Sequence, residues 1–98
     1  MEDKVKMRAV YNHAWEILKV AGAVEIMSVY KDGNLIYLVG LFPFDSLEIT
    51  PDAGPQSVVQ YNLDDDSYEL ISYAWLVIAC GKREVKDITE EFMNCIAE

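Results

Sequence analysis

Apolar residues in the first part of the chain recur at steps of three and four. Met7, Val10, Tyr11, Ala14, Ile17, Leu18 and Ala21 follow one another with no proline or glycine between them. That spacing puts them on one face of a helix and predicts an amphipathic α-helix over residues 3–21. Trp15 widens the apolar stripe beside Tyr11 and Leu18, and Gly22 supplies a left-handed C-cap. The pattern then changes. Residues 23–30 and 35–42 are rich in Val, Ile, Leu and Tyr and flank Lys31-Asp32-Gly33-Asn34. β-branched and aromatic residues suit strands, and Asp-Gly suits a tight primed turn with positive φ at both central residues, so a β-hairpin is predicted. Pro43 ends the second strand, and the brief alternation of Phe44, Ser46/Leu47 and Ile49 supports only a short edge strand over 44–50.

Pro51-Asp52-Ala53-Gly54-Pro55 breaks both helix and strand and reads as a loop within one fold. Residues 57–63 form the next predicted strand, and residues 64–67 the turn to the segment after them. Residues 68–80 satisfy two readings. Asp66 with Glu69 makes a capping-box pattern, and Gly81 stands ready to cap a helix. A helix, however, would point Leu70, Ile71, Tyr73, Trp75, Leu76, Val77 and Ile78 in every direction, more than so small a domain can cover. A strand covered on both faces accommodates them, and is the reading adopted. From Arg83 or Asp87 to Ala97, the spacing of Val85, Ile88, Phe92, Cys95 and Ile96 returns to helical period, with a capping-box pattern at Asp87 and Glu90. The order predicts an α+β fold: an antiparallel sheet of four to five strands in two hairpins, with the N- and C-terminal helices packed on one face.

Length and composition add bounds. Ninety-eight residues make one domain (1–98), and 52% hydrophobic with 26% charged residues is a globular balance rather than a disordered one. The first residues have no apolar run of the secretory type, and the longest apolar run, residues 74–80, falls far short of the roughly 18 needed to span a bilayer. The expectation is a cytoplasmic protein with no membrane partner. Cys80 and Cys95 have no metal-type spacing and read as reduced, buried, small hydrophobes.

Charge changes the picture most. Between Lys31 and Lys82 there is no basic residue, yet Asp32, Asp45, Glu48, Asp52, Asp64, Asp65, Asp66 and Glu69 lie there, which accounts for most of the net charge of −9. A one-signed field of this kind selects partners. Catalysis has little to work with: His13 is the lone histidine, and no pattern places a nucleophile and an orienting group beside it. Asn62, Asp64 and Asp66 resemble the start of a calcium loop, but Ser67 stands where glycine is needed and Tyr73 where a bidentate glutamate is needed. The five glycines are scattered and form no phosphate-binding loop. Phe42 and Phe44 around Pro43 read as core anchors. Neither metal nor cofactor is implied.

What remains is Tyr61-Asn62-Leu63-Asp64-Asp65-Asp66-Ser67-Tyr68, carboxylates between two tyrosines, with Glu69 adjoining. Aromatic anchors give contact area and charges give steering, which is an interface composition. Tyr61, Asp64, Asp65, Asp66, Tyr68 and Glu69 are therefore the expected partner-binding residues. Carboxylates repel phosphates, so direct nucleic-acid binding is disfavoured, and the expected partner is a basic surface of another protein. The expected function is that of a small acidic, non-enzymatic inhibitor or regulator, a nucleic-acid mimic of the kind found among immunity and phage counter-defence proteins. The alternative is an α+β domain that binds a small molecule between sheet and helices, or that forms a homodimer through an uncovered face near Tyr73 and Trp75.

Overall fold

The computed structural model describes residues 4–42, 56–73, 76 and 85–97. Over these the elements are α1 (Lys4–Ala21), β1 (Glu25–Asp32), β2 (Leu35–Leu41), β3 (Gln56–Asn62), β4 (Ser67–Ser72), β5 (Lys86–Asp87) and α2 (Thr89–Ile96). Met7, Val10, Ala14 and Leu18, the three-and-four spacing of the sequence, are the buried residues of α1. The helix ends in a Schellman arrangement. The Ala23 N–H donates to Leu18 O at 2.9 Å and the Gly22 N–H to Lys19 O at 3.1 Å, with Gly22 at φ 109°.

The strands form one antiparallel sheet in the order β4-β3-β2-β1-β5. α1 and α2 share a core with the face of the sheet formed by Ile26, Val29, Ile36, Leu38, Val59 and Tyr61, and Phe92 of α2 joins it. This is the predicted α+β architecture with five strands. Its first hairpin is closed by the Asp32–Leu35 pair around Gly33 and Asn34. Positive φ occurs at Gly33 (57°) and not at Asn34, so glycine takes the first central position, as in a type II′ turn, instead of positive φ at both central residues.

Three expectations change. The strand predicted over 68–80 ends at Ser72, and Tyr73 and Leu76 have helical backbone. Leu76, 2% exposed, packs with Tyr37, Val39 and Val58 on the sheet face away from α1 and α2. The strand covered on both faces is β2 instead, buried from Ile36 to Gly40, because it is the middle strand of the five. At the C-terminal end, Lys86 and Asp87 pair with Lys31 and Tyr30 of β1, so α2 starts at Thr89 and no Asp87–Glu90 capping box forms. Asp87 Oδ1 instead accepts the Thr89 N–H at 2.9 Å. The predicted edge strand over 44–50, the loop at 51–55, Pro43, Phe44, Trp75, Cys80 and Gly81 lie outside the described residues. Phe42 is half-buried against the core, and Cys95 is a free, half-buried thiol.

Candidate functional site

Leu35, the first residue of β2, is paired with Asp32 on one side and with Asn62, the last residue of β3, on the other. Antiparallel pairing thus brings both hairpin turns to the same end of the sheet. The two turns are bonded to each other. Leu63 N–H donates to Asn34 O at 2.8 Å, and Asn34 Nδ2 donates to Asp64 Oδ2 at 2.7 Å. Asp32, Asp64, Asp65 and Asp66 therefore form one acidic pole.

The second turn is built largely from its own side chains. Asn62 Oδ1 accepts the Asp64 N–H at 2.8 Å, and Asp65 Oδ1 accepts the Ser67 N–H at 2.9 Å. These local bonds are the reason Asn and Asp favour turns. Asp66 takes the left-handed conformation at φ 57°, and its N–H closes the loop on Asn62 O at 2.9 Å. Its carboxylate accepts a hydrogen bond from the Tyr61 hydroxyl and lies 3.4 Å from Lys6 Nζ. Each of the three carboxylates turns to a different partner, and among the described residues no three acidic, histidine or cysteine side chains converge as metal ligands.

An aromatic stack supports this pole from the helix side. Tyr61 and Tyr68 are cross-strand partners with ring centroids 4.8 Å apart, and the His13 ring lies 4.1 Å from that of Tyr68. Lys6 and His13, two turns apart on α1, thus reach Asp66 and Tyr68. The Tyr61 hydrogen bond, then Lys6, holds the Asp66 carboxyl below the usual carboxylate range. The bond from the Ser67 hydroxyl, then that from its N–H, does the same for Asp65. Burial, then the bond to Asp66, raises the Tyr61 phenol, and burial followed by the Asp66 charge raises Tyr68. Asp65 and Asp66 are held as carboxylates and the two tyrosines as neutral phenols, so none of these four exchanges a proton near neutrality.

Of the six expected residues, the structure brings Asp64, Asp65 and Asp66 together with Tyr61 and Tyr68. Tyr61 is only 1% exposed, so a partner meets its acceptor Asp66 and the half-buried Tyr68 rather than its ring. Glu69, opposite Gln60, is exposed on the other face of the sheet. Sequence reasoning missed Asn34, Asn62, Lys6 and His13 as parts of the site. Asn62 stands two residues before Asp64 and carried an Asx-turn signal, whereas Lys6 is sixty positions from Asp66 and carried none. Elsewhere, an open groove follows Lys86, Asp87, Ile88, Thr89, Met93 and Asn94, within one stretch of chain.

No protein-family model, curated protein or solved structure matches the chain. Among the described residues no helix is long and apolar enough to cross a membrane.

Proposed function

We propose that this is a small acidic interaction protein that docks its acidic pole on a basic surface of another protein, and inhibits or regulates it by occupying a site that otherwise holds phosphate. The observation that carries the reading is the shared sheet end. Asp32 joins Asp64, Asp65 and Asp66 there, fixed by the Asn34–Asp64 bond. A fixed carboxylate array steers a basic partner and loses little conformational entropy on contact.

The test is the triple variant D64N/D65N/D66N. Asparagine keeps a carbonyl oxygen that accepts the Ser67 N–H and the Tyr61 hydroxyl, so the turn is retained while three charges are lost. Binding to the protein copurified at low salt should weaken at least tenfold, and its salt dependence should flatten, as follows when charged contacts are removed. Unchanged affinity with unchanged salt dependence sinks the reading.

A further inference from the structure

We propose that Lys6 is a built-in occupant of the acidic pole, an autoinhibitory cation that a lysine or arginine of the partner displaces from Asp66; this rests on the acidic-docking reading above and names what holds that site in check. The three carboxylates of the second turn meet different kinds of partner. Asp64 accepts the Asn34 amide at 2.7 Å and Asp65 the Ser67 N–H at 2.9 Å, both neutral donors. Asp66 meets a full positive charge, Lys6 Nζ, 3.4 Å from its Oδ1.

That charge comes from outside the turn, since Lys6 lies in the first turn of α1. The Lys6 side chain is 38% exposed and that of Asp66 68%, so the stem is partly packed while the pair itself stays at the surface. An exposed ion pair is weak, because water and salt compete for both charges. An incoming ammonium or guanidinium therefore exchanges for Lys6 without first uncovering a buried charge.

Asp66 keeps its place by other means. Its N–H bonds Asn62 O at 2.9 Å, and its carboxylate accepts the hydroxyl of the buried Tyr61. The Tyr61 bond is also the larger cause of the lowered Asp66 pKa, with Lys6 second. Two tasks are thus separate: Tyr61 and the loop backbone position the carboxylate, and Lys6 neutralises it.

The full chain, K6M and K19M are titrated with a blocked decalysine peptide in 0.1 M sodium chloride, with the amide signals followed by NMR. Methionine keeps an unbranched stem and a helix propensity close to that of lysine while removing the ammonium. Lys19, in the last turn of α1, is the charge control. It lies about 20 Å along the helix from Lys6, beyond the screening length of about 10 Å. K6M should bind about threefold tighter than the unaltered chain, the size of an exposed ion pair, whereas K19M should bind as the unaltered chain does. In the D66N background most of the K6M gain should be lost. Equal affinities of K6M and K19M, or a gain undiminished by D66N, overturn the autoinhibitory contact and leave acidic docking standing. Weaker binding by K6M overturns it too, and faster hydrogen exchange at the Asp66 amide then identifies Lys6 as a brace of the turn. Decalysine affinity unchanged in D64N/D65N/D66N refutes acidic docking itself, and the autoinhibitory contact with it.

Discussion

Tyr61 joins the core to the acidic pole: its ring is buried under α1 and its hydroxyl meets Asp66. Two pH limbs follow. Asp65, Asp66 and Asp87 have folded pKa values below the ordinary 3.8. Their stabilisation is present above that value and is lost as pH falls through the depressed ones. Tyr61 has a raised value, so its contribution is complete below the ordinary phenol pKa of about 10 and is lost as pH rises beyond it. Y61F removes the main cause of the Asp66 shift together with the phenol. Thermal unfolding from pH 2 to 11 should show a Tm lower by a few degrees at neutrality, a shallower acid limb and a flatter alkaline limb; an unchanged alkaline limb contradicts the assignment. The buried position of Tyr61 was legible in part, because it shares strand parity with Val59. The neighbouring aspartates drew attention to it as a surface anchor instead. The bonds Asn34–Asp64 and Lys6–Asp66 were not legible, since nothing local marks pairs thirty and sixty positions apart.

Among the elements, β2 depends on Gly40. A Cβ there meets Phe42 at 3.1 Å and both Ala23 and Leu18 at 3.2 Å, so the glycine lets the end of α1 close onto the sheet. G40A should cost about 1–3 kcal/mol, as overpacking does, read as a lower denaturant midpoint with unchanged slope. Thr89 has the matching task at the β1 edge, where its hydroxyl accepts the Val29 N–H and donates to Asp87 Oδ1 at 2.7 Å. T89V leaves that N–H without its acceptor at about 1–3 kcal/mol, and faster hydrogen exchange at Val29 checks it. α1 and both hairpins could be read from the sequence because helical spacing, alternation and turn chemistry are local signals. The end of β4 could not, because the stretch from Leu70 to Ile78, apolar except for Ser72, suits a covered strand and a covered helix alike. The start of α2 lies six residues after Arg83 and two after Asp87, the two expected starts, because Lys86 and Asp87 are drawn into pairing with β1, a tertiary event that helical spacing does not encode.

For the molecule as a whole, the two ends of the sheet differ. The acidic pole occupies the turn end of the sheet. Val24 and Leu41, joined by the Val24 N–H to Leu41 O bond of 2.8 Å, lie at its other end, exposed together with Val20 after the last turn of α1 begins. Carboxylates concentrated at one pole repel one another, and that repulsion is screened over about 10 Å at 0.1 M salt. Raising sodium chloride from 10 mM to 0.5 M should therefore increase Tm, and the increase should be smaller in D64N/D65N/D66N; an equal increase in both proteins places the repulsion elsewhere. The Asn34–Asp64 bond also bears on how this domain can be rebuilt. Hairpin tips are ordinarily the places where a foreign peptide or a new terminus is tolerated. Here each tip holds the other, so a graft into either turn disturbs two hairpins and their four strands at once, and lengthening one tip scatters carboxylates that belong to the other.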